Sequence, residues 1–393
     1  MIDLKFSKIN IESITKDELK KEIEKLEKIK NQYENKDKAL KKLLVSSYGV
    51  IGNPRFLMYD PKIAETITSQ GQHMIKFIAY AINLYFKEKW YNDTKIHNLM
   101  NINVTSNINE NVVIYIVTDS CFVCFDNIIK TTNWDKNSIE FIKLFYELRF
   151  KKYLNKVFNV YANKFNTDNL QFMKMESISK SGLWLGKNKY ILDVVWERGD
   201  ITYKSLTNII AKGGELVQKD TPPFIREKMK KAVKYIFENG KYLNINNFII
   251  LIKQIKQEYK LQDIQNISYC ANLNNYETYV LDDRNNIEIT NMCPTHIKAA
   301  AIYNYKLNQN LNFKLKYSLL KSGDRIKYYY VKSKFKENNL FAFNIGKFPI
   351  EFAPEFDYDL MFNKSFIDPL NKILKVINIP LINENLVTVD KWF

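Results

Sequence analysis

Two β-rich runs, Val112–Val117 and Cys121–Phe125, flank Thr118-Asp119-Ser120, which reads as the tip of a short hairpin. An acidic residue at the tip of an otherwise apolar hairpin has two uses. It can bond the backbone of its own turn, as Asp commonly does, or it can be held rigidly toward a divalent cation, for which carboxylate oxygens are suitable ligands. A second set is Lys41, Val45 and Tyr48, spaced four and three apart so that they share one helix face, with Gly49 following. A lysine placed there can meet a phosphate, and Tyr and Gly at a helix end allow close approach to a base pair. Further on, Lys228, Lys230, Lys231 and Lys234 fall along a helix after Pro223, either as solvated charge or as phosphate contacts. Cys121 and Cys124 have the spacing of a metal pair. They lie in a strand whose residues alternate faces, with no second close pair and only His73, His97 and His296 in the chain, so zinc is not expected.

The elements that must position these residues are legible in part. Thr15-Lys16-Asp17-Glu18 reads as a capping box, and Leu19, Ile23, Leu26, Ile29 and Tyr33 follow on one face of a long, solvated helix. Leu40, Leu43 and Leu44 continue the apolar set, and Gly49, Gly52 and Pro54 are expected to stop it. Asp60-Pro61 starts another helix, with a face of Ala64, Ile67, Met74, Ile75, Ile78, Ile82 and Tyr85. The polar, Asn-rich stretch from Tyr91 to Asn111 reads as a loop. A helix is expected from about Ser138 to Phe165, and strands near Phe172–Ile178 and Tyr190–Val195. A basic helix should follow Thr221-Pro222-Pro223 as far as Leu243, and the last 150 residues mix helices, strands and loops.

Composition narrows the class. A chain of 393 residues can bury a sizeable core, and 46% hydrophobic with 26% charged residues is ordinary globular usage that argues against wholesale disorder. No run approaches the roughly 18 apolar residues of a membrane span, and Met-Ile-Asp-Leu-Lys opens no signal peptide. Four cysteines are too few for a disulfide scaffold and fit a reducing cytoplasm. The net charge of +16 and pI near 9.3 suit a polyanionic partner, most often nucleic acid. Abundant Lys, Asn, Ile, Tyr and Phe, as AT-rich coding produces, account for some of that surplus.

The order of the motifs resembles the family B DNA polymerases of the T4-like phages. Lys41-Lys42-Leu43-Leu44-Val45-Ser46-Ser47-Tyr48-Gly49 is similar to the Lys-x-x-x-Asn-Ser-x-Tyr-Gly motif at the end of the fingers. Thr118-Asp119-Ser120 looks like the end of the palm's Asp-Thr-Asp-Ser hairpin, and Lys187-Asn188-Lys189-Tyr190 resembles the Lys-Lys-Arg-Tyr element that contacts the primer–template backbone. Lys212-Gly213-Gly214-Glu215 with Thr221-Pro222 looks like the palm-to-thumb junction, and Met292–Ile297 is similar to a thumb segment. Asp390-Lys391-Trp392-Phe393 sits where those enzymes carry a short clamp-binding peptide.

The resemblance implies an α+β fold. Residues 1–53 would be partial fingers helices, 54–207 a palm with an antiparallel sheet, flanking helices and the catalytic hairpin, and 208–393 a mixed α/β thumb ending in a clamp-binding-like peptide. It implies DNA-directed DNA synthesis with two Mg²⁺ ions, ligated by Asp119 with Glu176 as auxiliary carboxylate. Lys41 would bind the dNTP triphosphate, Tyr48 and Gly49 the nascent base pair, and Lys187, Lys189, Tyr190 and Lys212 the duplex backbone. Trp392 and Phe393 would dock on a sliding clamp. The family's second catalytic carboxylate, its exonuclease domain and its first fingers helix have no counterpart here. The expectation is therefore a C-terminal subunit of a split polymerase in the host cytoplasm, completed by a separate polypeptide. A non-catalytic DNA-binding or clamp-tethering subunit is the alternative. Val45 replaces the motif's Asn, Ile116 a Gly, and Val117 the first Asp of the hairpin, and each replacement bears on how much activity survives.

Overall fold

The computed structural model describes residues 15–198, 209–213, 220–283, 286–290, 292–332 and 339–383. The chain divides into two compact units, Met1–Lys174 and Met175–Phe393, and its architecture is α+β, with helices and small antiparallel sheets. No helix among the described residues is long and apolar enough to cross a membrane.

The first unit opens with α1 (Lys16–Ile51), whose capping box forms as the sequence suggests: the Glu18 N–H donates to the Thr15 hydroxyl and the Thr15 N–H to the Glu18 carboxylate. Of the residues expected to stop it, Gly52 does so and Gly49 lies inside the helix. A lone interior Gly costs only about 1 kcal/mol, and α1 continues to Ile51, where Gly52 caps it by donating to the Tyr48 carbonyl at 3.1 Å. None of the 36 residues of α1 is buried. Helix α2 (Pro61–Leu84) starts as read, with Asp60 Oδ1 accepting from the Lys62 and Ile63 amides at 2.9 and 3.1 Å. Its inward face is Ala64, Ile75, Ile78, Ala79, Ala81 and Ile82, while Ile67 is exposed.

A π turn (Tyr85–Lys89) then adds one residue to the helical repeat, with Trp90 N–H bonded to the Tyr85 carbonyl at 2.9 Å. That extra residue brings Tyr85, Phe86 and Trp90 to the interior together. The stretch read as a loop contains α3 (Thr94–Met100), which buries Ile96, His97 and Met100. Its start is fixed from outside: Asp93 is paired with Arg149 at 2.6 Å and accepts the Tyr85 hydroxyl at 2.7 Å. Long-range contacts thus override a polar sequence, and Asn101, at φ +53°, ends the helix. Burial holds the His97 imidazole below its ordinary pKa.

Strands β1 (Val113–Val117) and β2 (Ser120–Val123) form the expected antiparallel hairpin. It packs on α2, where the Asn83 side chain accepts the Val113 N–H at 2.9 Å. After α4 (Asp126–Lys130), the helix expected to Phe165 is α5 (Ser138–Phe145), a second π turn (Tyr146–Phe150) and α6 (Lys151–Asn163).

In the second unit, β3 (Ser177–Gly186), β4 (Lys189–Glu197) and β5 (Ile209–Lys212) form one antiparallel sheet in that order. The expected strand at Phe172–Ile178 is displaced: Phe172 is exposed, and β3 starts only at Ser177. The apolar residues that make it a strand, Leu183 to Leu185, lie beyond the Ser-Lys-Ser-Gly stretch that hid it. Helix α7 (Pro223–Asn239) ends four residues before Leu243, at Gly240 with φ +49°. Next come α8 (Ile245–Lys260), α9 (Ile264–Ile267), β6 (Tyr269–Asn272), α10 (Tyr276–Tyr279), β7 (Val280–Asp283) and β8 (Asn286–Ile289). The last elements are α11 (Thr295–Asn308), α12 (Leu311–Lys316), β9 (Arg325–Tyr330), β10 (Leu340–Asn344), α13 (Tyr358–Phe362) and α14 (Asp368–Val376). A sheet ordered β10-β9-β6 shares one apolar core with α7, α8, α11 and α14.

One polar residue inside that core is fully committed. Asn304 on α11 donates to the Leu320 carbonyl at 2.8 Å and the Tyr276 hydroxyl at 3.1 Å, and accepts the Leu320 N–H at 2.9 Å. Asn304→Leu keeps the volume but leaves buried backbone groups unpaired. It is expected to cost about 3 kcal/mol, seen as a lower urea midpoint with an unchanged slope.

Candidate functional site

Lys41, Val45 and Tyr48 share one face of α1 as their spacing requires, and all three are exposed. Gly49 follows within the helix, and a Cβ there would meet nothing within 4 Å. Nothing within the described residues therefore requires a glycine at this position. Along the same helix, Leu19, Leu26, Tyr33 and Leu40 recur every seventh residue and are 41%, 39%, 43% and 61% exposed, the spacing by which one helix seats another.

Asp119 stands in the two-residue connection between Val117 and Ser120, which pair across the hairpin. Thr118 takes φ +45°, a left-handed conformation that a β-branched residue rarely adopts. Such strain costs about 1–3 kcal/mol and concentrates at functional positions. The Ser120 hydroxyl donates to Asp119 Oδ1 at 3.1 Å, and the carboxylate is exposed to solvent. Val117, where the motif has its first Asp, is buried in the hairpin base, whereas Ile116 is exposed. The Cys121 thiol beside the tip is pushed up to about 11 by burial, so it is protonated at neutral pH.

Glu176 belongs to the other unit. It precedes β3 and pairs with Arg198 Nη1 at 3.6 Å, with both side chains substantially exposed. No group of three or more His, Cys, Asp or Glu poised for a metal occurs among the described residues. Asp119 fits Mg²⁺ chemically, since it is a hard oxygen donor held by one hydroxyl and exposed to solvent.

The basic residues of the second unit are brought together closely. Lys187 and Asn188 make the turn from β3 to β4, with Asn188 at φ +59°. Tyr190 on β4 pairs in register with Lys212 on β5, whose Nζ lies 5.9 Å from the Tyr190 ring centroid. Gly213, at φ +66°, lets β5 press against this turn, because a Cβ there would stand 2.1 Å from the Asn188 carbonyl oxygen. Lys189, Tyr190, Lys212 and Gly213 line a cavity of about 300 Å³ together with Arg226 and Lys372. The sequence reading missed those last two cations: Arg226 precedes the run of lysines on α7, and Lys372 lies more than 150 residues from the turn. Lys228, read as a possible phosphate contact, instead ties α7 to α8 through Glu258 at 2.7 Å, which raises its ammonium pKa. Trp392 and Phe393 lie outside the described residues, as do Gly214 and Glu215.

The sequence model described as DNA polymerase family B matches residues 13–377. The chain belongs to DNA polymerase family B. Two phage proteins named DNA-directed DNA polymerase are similar: that of Enterobacteria phage T4 is 25% identical over 284 residues, covering 68% of this chain and 29% of its own length. That of Escherichia phage RB69 is 24% identical over 287 residues, covering 69% and 29%. A DNA polymerase of Choristoneura biennis entomopoxvirus is 26% identical over 243 residues, covering 58% and 24%. The family B chain described here is thus of the T4-like type and spans under a third of the length of these relatives.

Within this family B chain, the Gly213–Asn188 approach sets where Lys187 and Lys189 stand relative to Lys212. Gly213→Ala is expected to destabilise the second unit by about 2 kcal/mol or more, from the positive φ and the clash together. Faster amide hydrogen exchange at residues 187–190 would accompany the loss, and unchanged exchange there would refute the coupling.

Proposed function

We propose that this chain acts as the C-terminal subunit of a two-chain, family B DNA-directed DNA polymerase. Residues 1–53 serve as half of the fingers, 54–207 as the palm and 208–393 as the thumb. The observation that carries the two-chain reading is α1: 36 residues with none buried and an apolar side chain at every seventh position from Leu19 to Leu40. A helix gains most of its stability from packing its apolar face, and a second helix from another polypeptide is the occupant this spacing suits.

In this reading Lys41 meets the triphosphate of the incoming dNTP. Tyr48 and Gly49 lie against the nascent base pair, and the vacant space beside Gly49 supports that close approach. Asp119 is the ligand this chain offers to two Mg²⁺ ions, with Glu176 as an auxiliary carboxylate. When bound, such ions lower the cost of generating the attacking oxygen and steady the leaving phosphates. Two cations about 3.5–4 Å apart need more than one carboxylate close by, so the other polypeptide supplies the second. Lys187, Lys189, Tyr190 and Lys212 hold the primer–template backbone, and Trp392 and Phe393 dock on a sliding clamp.

A second reading, a non-catalytic DNA-binding or clamp-tethering subunit, is favoured by one observation: Val117 is an apolar residue buried where the motif has a carboxylate. Primer extension separates the two. With Mg²⁺ and dNTPs, this chain alone is expected to be inactive, and active with an exonuclease-bearing polypeptide from the same genome. Asp119→Asn should then reduce extension by at least about 10³-fold, the scale expected for loss of a group that stabilises the transition state. Leu26→Glu should abolish stimulation without shifting the melting of this chain alone. Unchanged extension by Asp119→Asn sinks the catalytic assignment. Duplex binding indifferent to Mg²⁺ and matching dNTP, with no extension in either mixture, selects the non-catalytic subunit.

A further inference from the structure

We propose that the joint between α1 and α2 is the anchor by which the second polypeptide of the two-chain reading holds this chain. The inference rests on that reading and adds a surface it does not use. That surface is Leu43 and Leu44 near the end of α1, with Phe56, Leu57, Met58 and Tyr59 in the connection to α2.

Charge separates the joint from the rest of α1. Seventeen of residues 16–42 carry charge, whereas Arg55 is the one charged residue among 43–59. The charged length offers a partner a narrow apolar seam bordered by solvated ions, which cost free energy to strip of water. The joint offers apolar surface almost without that cost, and depletion of charge marks the centre of an interface. All six apolar side chains are exposed, Leu57 fully and Leu43, Leu44 and Met58 by 64%, 72% and 70%. Apolar residues exposed singly are ordinary on a surface, but such a concentration marks a site of association.

The connection is held in shape by its own backbone. The Asp60 N–H donates to the Ile51 carbonyl at 3.0 Å and closes the turn at its base. Inside it the Phe56 N–H donates to the Asn53 carbonyl at 3.0 Å, and the Tyr59 N–H to the Phe56 carbonyl at 3.1 Å. Asn53 Oδ1 accepts the Arg55 N–H at 3.0 Å. Four large apolar side chains are therefore displayed on a preformed turn. A shape fixed before contact loses little conformational freedom on binding, as suits an anchor that fills a partner's pocket.

Position selects the occupant. Leu44 and Ile51 follow Leu40 at four and eleven residues, so they continue the face of Leu19, Leu26, Tyr33 and Leu40 into the joint. A polypeptide seated along that seam reaches the turn without changing face. Lys41 and Tyr48 lie about a quarter turn round the helix from Leu40, so the anchor leaves the face assigned to the nucleotide open. Nucleic acid suits the joint poorly, because Leu43, Leu44, Leu57 and Met58 offer no ring for a base to stack on and Arg55 brings a single cation. The joint thus supplies affinity, and the seam orients α1 on its partner.

Sedimentation velocity of the full chain with the exonuclease-bearing polypeptide from the same genome, beside primer extension, tests this. The double variant Leu57→Asp/Met58→Asp is expected to weaken association by at least about thirtyfold. Its melting midpoint should be unchanged, and its lost extension should return as the second polypeptide is raised in concentration. Leu26→Glu should keep more of the association than the double variant does, with extension that added polypeptide does not restore. Association unaltered in the folded double variant overturns the proposal, and if Leu26→Glu still abolishes extension the two-chain reading survives. If the unaltered chains neither associate nor extend a primer, that reading falls as well. Weakened primer–template binding by the double variant alone assigns the surface to DNA, and loss of a dimer formed by this chain alone assigns it to a second copy. Either result overturns the proposal.

Discussion

Two single-residue insertions in helical repeat govern the first unit. An α-helix interior places consecutive residues about 100° apart, so Tyr85, Phe86 and Trp90 do not share a narrow face. The π turn at Tyr85–Lys89 brings Trp90, five residues on, into line with Tyr85, and a second π turn at Tyr146–Phe150 carries two further buried aromatics, Tyr146 and Phe150. The result is one aromatic cluster, in which the Phe86 ring centroid lies 5.7 Å from both Trp90 and Phe145 and 6.1 Å from Phe150. Offset and edge contacts at such distances add to what area burial alone contributes. The half-buried Asp93–Arg149 pair, joined by the Tyr85 hydroxyl, links the two turns. Through α2 and the Asn83 bond to Val113, this cluster sets the base from which the hairpin projects Asp119.

Charge is arranged differently in different parts of the chain. On α1 the lysines meet glutamates one turn away, as in Lys25–Glu22 at 3.3 Å and Lys30–Glu34 at 3.8 Å. These exposed pairs contribute only about 0.3–0.5 kcal/mol each and mainly keep the helix soluble. In the second unit Lys256, almost wholly buried, is matched by Asp359 at 2.7 Å, since a lone buried ammonium would be costly. Lys189, Lys212, Arg226 and Lys372, from four different elements, line one shared cavity. A surplus of +16 is a diffuse property of the whole chain, whereas this convergence is local and is the part that carries chemical information.

Local signals were legible wherever the chemistry is local. The Thr15–Glu18 box, the Asp60 cap and the hairpin around Asp119 each depend on residues within a few positions, and each forms. Signals failed where distant residues decide. Helix α3 exists because Arg149 and Tyr85 hold Asp93, and nothing between Tyr91 and Asn111 announces them, although Ile96 and Met100 have helical spacing. The π turns are invisible to a search at constant period. Arg226 and Lys372 escaped notice because their significance is spatial, and the lysines chosen instead for α7 included Lys228, which is spent on Glu258. Asp119 was legible as an oddly placed carboxylate, but the strained Thr118 beneath it required coordinates.

The bare helix and the lone carboxylate at the hairpin tip support the proposed two-chain reading for independent reasons. Apolar side chains repeated every seventh residue along α1 leave surface that water disfavours, and their spacing calls for a helix rather than a sheet or a loop. Asp119, exposed and held by one hydroxyl, is a donor with free coordinating capacity. Two divalent ions held about 3.5–4 Å apart repel one another, and the proposed two-metal site therefore calls for a carboxylate beyond Asp119. One absence concerns packing and the other charge, and neither follows from the other. In the proposed two-chain reading, one added polypeptide bringing a helix and an acidic residue together would satisfy both.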